Sequence, residues 1–313
     1  MVARLLGASL ISANVLLVCA AVAADSSTPT VVVTGQRTTE DVDTVVSRFI
    51  DQHAAPNRKT GQYMRDDVWP ICPVTLGLPP AYNAFVTSRV LAVATKVGAK
   101  VGGAGCKSNV QILFTDQPHE VVEALSQKTR GAILGAHYVH ETSQLLEVTH
   151  PIQAWYVTGT RYDENSISPV ISVDRQSNTK PLDDKNIGMD DAYWNAPSHV
   201  ALGSNIPMRR ISAIANVLII ADLKAVGGSE IGPVADYIAM LALSEPRSLD
   251  DCNPLPSILD LMSTACAGRA KPVALTDNDW AYLKGLYAAD LGARSVSEQK
   301  EGIESGMKGE MGK

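Results

Sequence analysis

The apolar run at residues 214–220, Ile-Ala-Asn-Val-Leu-Ile-Ile, is the strongest strand signal in the sequence. Residues 109–115 form a second buried-strand pattern, and residues 152–158 alternate as a strand does. Apolar side chains recur at helical spacing in segments 81–97 and 230–243. Strands that alternate with helices predict an α+β domain, in which a mixed, twisted sheet packs against long helices joined by irregular loops.

The composition predicts a folded domain and argues against two kinds of partner. Hydrophobic residues make up 45% of the 313 residues and charged residues 19%, so the chain can bury a core and wholesale disorder is excluded. The 27 basic and 33 acidic residues give a net charge of −6. That balance favours neither nucleic acid nor an anionic membrane surface, and we expect no nucleic-acid partner.

The N-terminus has the features of a secretory signal peptide. Arg4 is its single charge, an apolar stretch follows at residues 5–18, and a run of small residues ends at Ala24. We expect cleavage after Ala23 or Ala24, which would leave no transmembrane helix and a periplasmic or secreted protein. A retained membrane anchor and lipidation at Cys19 are the alternatives.

Four cysteines remain once Cys19 leaves with the signal peptide: Cys72, Cys106, Cys252 and Cys266. In an oxidising compartment, four cysteines indicate two disulfides, with three possible connectivities. Local pairing, Cys72–Cys106 and Cys252–Cys266, is the simplest choice. Because the sequence contains no CxxC pair, a thiol catalyst or a thiolate metal site is the weaker interpretation.

Shifts in composition divide the chain into four parts. Residues 1–24 are the signal peptide, and residues 25–59 form a linker that contains a short amphipathic helix at 38–53. Residues 60–291 are expected to form a single α+β domain. Residues 292–313 are rich in Gly, Glu, Lys and Met, which predicts a flexible tail.

The last third of the sequence carries a recognisable order of motifs. A short apolar turn, Ser-Ile-Leu at residues 257–259, comes after the buried helix, and a helix capped by Thr276 follows. That helix opens with Leu-Thr-Asp-Asn-Asp at residues 275–279 and ends with Leu-Tyr at 286–287. Strand, helix, turn and closing helix together resemble the zinc metalloproteases of the metzincin type, over roughly residues 109–290. The resemblance implies a zincin-like fold.

The zinc ligands of that family are missing. In the family the buried helix reads HExxHxxGxxH, in which two His one turn apart bind zinc and the Glu between them is the base. The aligned positions here are Ala235, Asp236 and Ala239, with Glu245 at the third His, and alanine has no donor atom. The resemblance therefore implies a non-catalytic relative with a vestigial site and no cofactor. A plain core face explains the same helix.

Histidines elsewhere offer a second candidate for metal binding. His137 and His140 are three residues apart, so on a helix they could share a metal ion, with His150 or His119 as a candidate for a further ligand. The spacing differs from that of the zincins. Surface or packing histidines are the alternative interpretation.

The preferred function is non-enzymatic: an exported envelope or secreted protein that acts as a binding or structural module for an unknown protein or envelope component. Its Gly/Pro-rich loops at residues 54–80 and 175–210 are the expected contact surfaces. The alternative is an envelope hydrolase, either metal-dependent through the two clustered histidines or serine-based. No G-x-S-x-G motif is present, so Ser204 and Ser229 are lone candidates, and Ser229 is also expected to cap a helix.

Overall fold

A computed structural model gives the structure of most of the expected domain. It describes residues 39–56, 70–129, 131–136, 141–162, 172–173, 210–289 and 295–312. The expected signal peptide, Cys19, His137, His140 and Ser204 lie outside the described residues, as do the 175–210 loop apart from Arg210 and most of the loop at 54–80.

Five strands form one mixed sheet, which agrees with the expected α+β class. The strands are β1 Pro73–Leu76, β2 Val110–Thr115, β3 Ile152–Tyr162, β4 Ser172–Val173 and β5 Arg210–Asp222. Their order across the sheet is β1-β2-β5-β3-β4. β1, β2 and β5 are parallel, whereas β3 runs antiparallel to both β5 and β4. The strongest strand of the sequence, β5, is therefore the centre of the sheet.

Eight α-helices accompany this sheet among the described residues. They are α1 Thr39–His53, α2 Pro80–Lys96, α3 Pro118–Thr129, α4 Thr142–Leu145, α5 Leu223–Val226, α6 Ile231–Leu243, α7 Asp277–Ala288 and α8 Val296–Met311. A 3₁₀ turn at Ile258–Leu261 lies between α6 and α7. No described helix is long and apolar enough to cross a membrane.

Alternate residues of β5 face two different hydrophobic cores. Val217 and Ile219 belong to the larger core, together with α2 and α6. Leu218 and Ile220 belong to the smaller core, which contains Val122 of α3. Because side chains alternate across a strand, α2 and α6 cover one face of the sheet and α3 covers the other.

Two disulfides join the described loops. Cys72 is bonded to Cys106 and Cys252 to Cys266, with Cα–Cα distances of 6.1 and 5.0 Å. These are the two local pairs favoured by the sequence spacing. Disulfides persist in oxidising compartments, so the pair of bonds fits an extracytoplasmic environment.

The N-terminal helix α1 is part of the main domain rather than of a separate linker. Val46, Phe49 and Ile50 are fully buried and belong to the larger core. Residues 38–313 accordingly cluster as one compact unit. The boundary expected near residue 60 therefore falls inside this unit.

The expected flexible tail at residues 292–313 contains a helix instead. Ile303 and Met307 of α8 are fully buried against the larger core. A Cβ atom on Gly306 would lie 2.8 Å from the Cα of Gly285 in α7, which is closer than real Cβ contacts. Gly306, one of the glycines that suggested disorder, thus allows the backbones of α7 and α8 to meet.

We predict that Gly306→Ala lowers the free energy of unfolding by about 1–3 kcal/mol, because its methyl group would force two helix backbones apart. The matched control is Gly309→Ala, since a Cβ there meets nothing within 4 Å. Alanine is favoured over glycine in a helix by about 1 kcal/mol, so the control should gain stability. Urea unfolding measures both changes, and a stabilising Gly306→Ala would contradict the close packing.

Candidate functional site

The helix aligned with the zinc-binding helix, α6, lies in the interior of the domain. Ala235 and Ala239 are each 0% exposed and belong to the larger core. Every residue of α6 from Pro233 to Leu243 is buried. Neither alanine is accessible to solvent, so these two positions contribute packing and offer no open metal site.

Asp236, at the position aligned with the catalytic Glu, makes hydrogen bonds that hold neighbouring elements of the fold together. Its carboxylate accepts hydrogen bonds from Nε and from a terminal nitrogen of Arg89 on α2, the latter at 3.0 Å. The backbone N–H of Leu275 donates to the same carboxylate at 3.0 Å. The Asp236 hydrogen bond and charge raise the pKa of Arg89 above its ordinary value. Asp236 therefore joins α2, α6 and the segment before α7.

Glu245 and Ser229 lie at the two ends of α6. Glu245 follows the C-cap residue Ser244, and its backbone carbonyl accepts a hydrogen bond from Ala55 at 2.7 Å. The prediction that Ser229 caps the helix is wrong by one residue. The N-cap is Glu230, which makes no side-chain capping bond. The Ser229 N–H donates to the Val226 carbonyl in the preceding turn.

The turn after α6 begins with a capping box. Ser257 is the N-cap, and its Oγ accepts from the Leu259 N–H at 3.2 Å while Asp260 accepts from the Ser257 N–H at 3.3 Å. Asp260 also accepts from Arg269 at 2.9 Å and from Asn253 at 2.7 Å. These bonds fix the turn beside the Cys252–Cys266 disulfide.

A buried carboxyl group, that of Asp279, connects this turn to the closing helix. Asp279 is 0% exposed, and its Oδ2 accepts from the N–H groups of Ile258 and Thr276, both at 2.8 Å. Thr276 is the N-cap of α7, as predicted, and its hydroxyl accepts from the Asp279 N–H at 3.2 Å. The second oxygen, Oδ1, lies 2.6 Å from the Ser257 hydroxyl.

The Ser257 hydroxyl extends the connection to α1. It lies 3.0 Å from Nε2 of His53, whose Nδ1 is 2.9 Å from the Phe49 carbonyl. Tyr282 of α7 donates its hydroxyl proton to the His53 carbonyl at 2.9 Å. We call the group His53, Ser257 and Asp279 the buried triad. Its serine is central and all three side chains are solvent-inaccessible, unlike a catalytic triad, in which histidine lies between serine and acid.

The hydrogen bonds of the buried triad require one proton beyond that of the serine. A carbonyl only accepts, so Nδ1 of neutral His53 carries the ring proton and Nε2 must accept. One hydrogen bond joins Nε2 of His53 to Oγ of Ser257, and a second joins the same Oγ to Oδ1 of Asp279. The Ser257 hydroxyl supplies a hydrogen for only one of these two bonds. Burial raises the pKa of Asp279 to about 6 and lowers that of His53 to about 4, which assigns the second proton to Asp279 in mildly acidic solution.

Asp279 and His53 act in opposite directions on the pH dependence of stability. The folded pKa of Asp279 lies above its ordinary value of 3.8, so its stabilising contribution is complete below that value and is lost as the pH rises through about 6. The folded pKa of His53 lies below 6.5, so its contribution is complete above 6.5 and is lost as the pH falls through about 4.

We predict that Asp279→Asn gains stability relative to the wild type as the pH is raised from about 4 to 7. Asparagine keeps an acceptor for the two backbone N–H groups and a permanent donor toward Ser257, but it does not titrate. Urea unfolding across this range measures the difference. Asp277→Asn, exposed on the same helical turn, is the matched control. If the difference in the free energy of unfolding between Asp279→Asn and the wild type did not change with pH, the assignment of the second proton to Asp279 would be contradicted.

A separate cleft of about 590 Å³ opens at the carboxyl ends of β2 and β5. We call it the strand-end cleft. The polar side chains that line it include Asp116, His119, Glu120, His150, Asp222 and Lys224. In open α/β sheets, ligands bind outside the carboxyl ends of neighbouring strands whose following helices leave to opposite faces. β2 is followed by α3 on one face and β5 by α6 on the other, so the cleft has this position.

The polar side chains of the strand-end cleft differ in how far the fold engages them. Those of Asp116 and His119 are exposed and make no hydrogen bond or ion pair with other described residues. Asp222, the last residue of β5, accepts the Lys224 N–H at 2.8 Å through Oδ1 and thereby caps α5. Nε2 of His150 lies 3.0 Å from a carboxylate oxygen of Asp250.

The described histidines and carboxylates do not form a ready-made metal site. His119 and His150, which were expected to assist His137 and His140, both line the strand-end cleft. Within the described residues, the one group of three potential ligands that approach within 4.8 Å is Cys252, Asp260 and Cys266. The two cysteines of that group are bonded to each other.

Comparison with protein-family models, curated proteins and solved structures finds no match for this chain. Sequence reasoning did not single out Asp116 and Asp222, which line the strand-end cleft. The available signal was that each carboxylate stands at the end of a predicted strand, and parallel neighbouring strands bring such ends together.

Proposed function

We propose that this chain is an exported envelope or secreted protein that acts as a non-catalytic binding or structural module on a degenerate metalloprotease-like scaffold. The order of its elements supports the proposal, since β5, the buried helix α6, the 3₁₀ turn and the capped helix α7 follow one another as the resemblance requires. The two disulfides support export.

One observation carries the non-catalytic part of the proposal. A zincin needs two histidines that bind the zinc ion. It also needs a carboxylate that is free to act as the base for the zinc-bound water. Here the ligand positions are Ala235 and Ala239, both 0% exposed, and the base position is Asp236, which is held by Arg89 and Leu275. The helix has kept its role in the core and has no means of activating water.

The metal content of the mature, tag-free protein tests this proposal. We expect elemental mass spectrometry to find less than stoichiometric zinc, and we expect chelator treatment to leave the melting temperature unchanged. Assays with a general protein substrate should show no hydrolysis that a chelator abolishes. Stoichiometric zinc with chelator-sensitive hydrolysis would overturn the proposal in favour of the hydrolase alternative.

Restoring the zinc ligands should damage the fold rather than create a site. We predict that Ala235→His with Ala239→His lowers the free energy of unfolding by roughly 1–3 kcal/mol for each residue, because both alanines are enclosed by the core. Ala84→His, on an exposed position of α2, is the control and should have little effect. A double variant that unfolds like the wild type and binds zinc would show that the helix faces an accessible site.

A further inference from the structure

We propose that helix α8, Val296–Met311, is a salt-sensitive strap that opens as a unit while the rest of the domain stays folded. Opening uncovers the surfaces of α1 and α7 against which the helix packs. The proposal goes beyond the proposed function. It is supported by the sequence of α8, by the small number of its residues that are buried, and by the ion pairs that hold it.

The sequence of α8 is poorly suited to a helix that stands alone. Isolated helices of about 12–15 residues are marginal in water even when they are rich in alanine. α8 has 16 residues, none of them alanine, and it includes Gly302, Gly306 and Gly309. Glycine is the least favourable residue in a helix after proline. The helical structure of α8 therefore depends on its contacts with the rest of the domain.

Those contacts include few buried side chains. Three of the 16 residues of α8 are buried, namely Gln299, Ile303 and Met307, and only two of these are apolar. They are spaced by four residues, so they form a single narrow stripe on the helix. By comparison, every residue of α6 from Pro233 to Leu243 is buried. Elements with few buried apolar contacts open at a lower free energy than the core does, and α8 is such an element.

Ion pairs at the surface supply a large part of the remaining attachment. Among the described residues, three ion pairs join α8 to α1 and α7: Lys300–Asp51 and Lys308–Asp43, both at 2.7 Å, and Glu310–Lys284. Each of these side chains is between 21% and 59% exposed. Salt screens the attraction between exposed charges, whereas it does not weaken the burial of apolar groups. Raising the salt concentration therefore favours the open strap.

The methionines of the chain provide a direct test of the strap. Hydrogen peroxide transfers one oxygen atom to a methionine sulfur and leaves as water, and it must reach that sulfur to react. Met307 of α8 and Met240 of α6 are both 0% exposed, whereas Met311 at the end of α8 is 39% exposed. Met240 thus reports opening of the core, Met307 reports opening of the strap, and Met311 reports the rate at an accessible site.

The mature, tag-free protein is treated briefly with dilute peroxide, and peptide mass spectrometry gives the initial rate of oxidation at each methionine. We expect Met307 to be oxidised at least tenfold faster than Met240 and more slowly than Met311. We expect the rate at Met307 to rise about twofold or more between about 0.02 M and about 0.5 M NaCl, because three exposed ion pairs are screened.

Variants separate the ion pairs from the other contacts of the strap. Lys300→Gln with Lys308→Gln should raise the rate at Met307 in low salt by about twofold or more and remove most of the salt response. The matched control is Lys128→Gln with Lys224→Gln, which removes the same charge from exposed positions outside α8. Gly309→Ala should slow oxidation at Met307 about fivefold, because alanine favours the docked helix and its Cβ meets nothing within 4 Å.

Equal rates of oxidation at Met307 and Met240 would overturn the proposal, since the strap would then open only when the core does. A rate at Met307 that neither salt nor the double glutamine variant raises would also overturn it. Both outcomes are distinguishable from failure of the proposed function, which is decided by zinc content and by chelator-sensitive hydrolysis.

Discussion

The buried carboxyl group of Asp279 is the interaction on which the described fold depends most. It holds the N–H groups at the start of the turn and of α7, and through Ser257 it reaches His53 at the end of α1. A buried group of this kind is costly unless all its hydrogen bonds are made, so the three segments must be positioned together.

A second buried carboxylate, that of Asp236, joins α6 to the elements around it. Asp236 is balanced by Arg89, and with the alanines on either side it turns α6 into a packing element between α2 and the sheet. Breaking such a pair leaves an uncompensated buried charge, so the packing of α6 depends on both partners.

Much of the fold was predictable from local patterns, and the rest depended on contacts between distant residues. The run at 214–220 is the centre of β5, because six of its seven residues are apolar and gain stability from burial. Helix α8 was not predicted, since its glycines suggested disorder and only the structure shows that Gly306 lies against the backbone of α7. No local pattern indicates that His53 bonds to a residue 204 positions away. Asp116 and Asp222 line the same cleft only because β2 and β5 pair in parallel. Hydrophobic periodicity reports burial, but it carries no information on which polar groups will meet.

The protonation of His53 tests the central claim of the buried triad most directly. The imidazole ¹⁵N chemical shifts of selectively labelled protein report which ring nitrogen carries hydrogen. The ring of His53 stacks on that of Phe49 with 3.8 Å between the ring centroids, and this contact allows the His53 signals to be assigned. The account predicts a neutral ring from pH 5 to 8 that is protonated at Nδ1 and unprotonated at Nε2. A ring that titrates near pH 6.5, or a neutral ring that carries its hydrogen at Nε2, would contradict it.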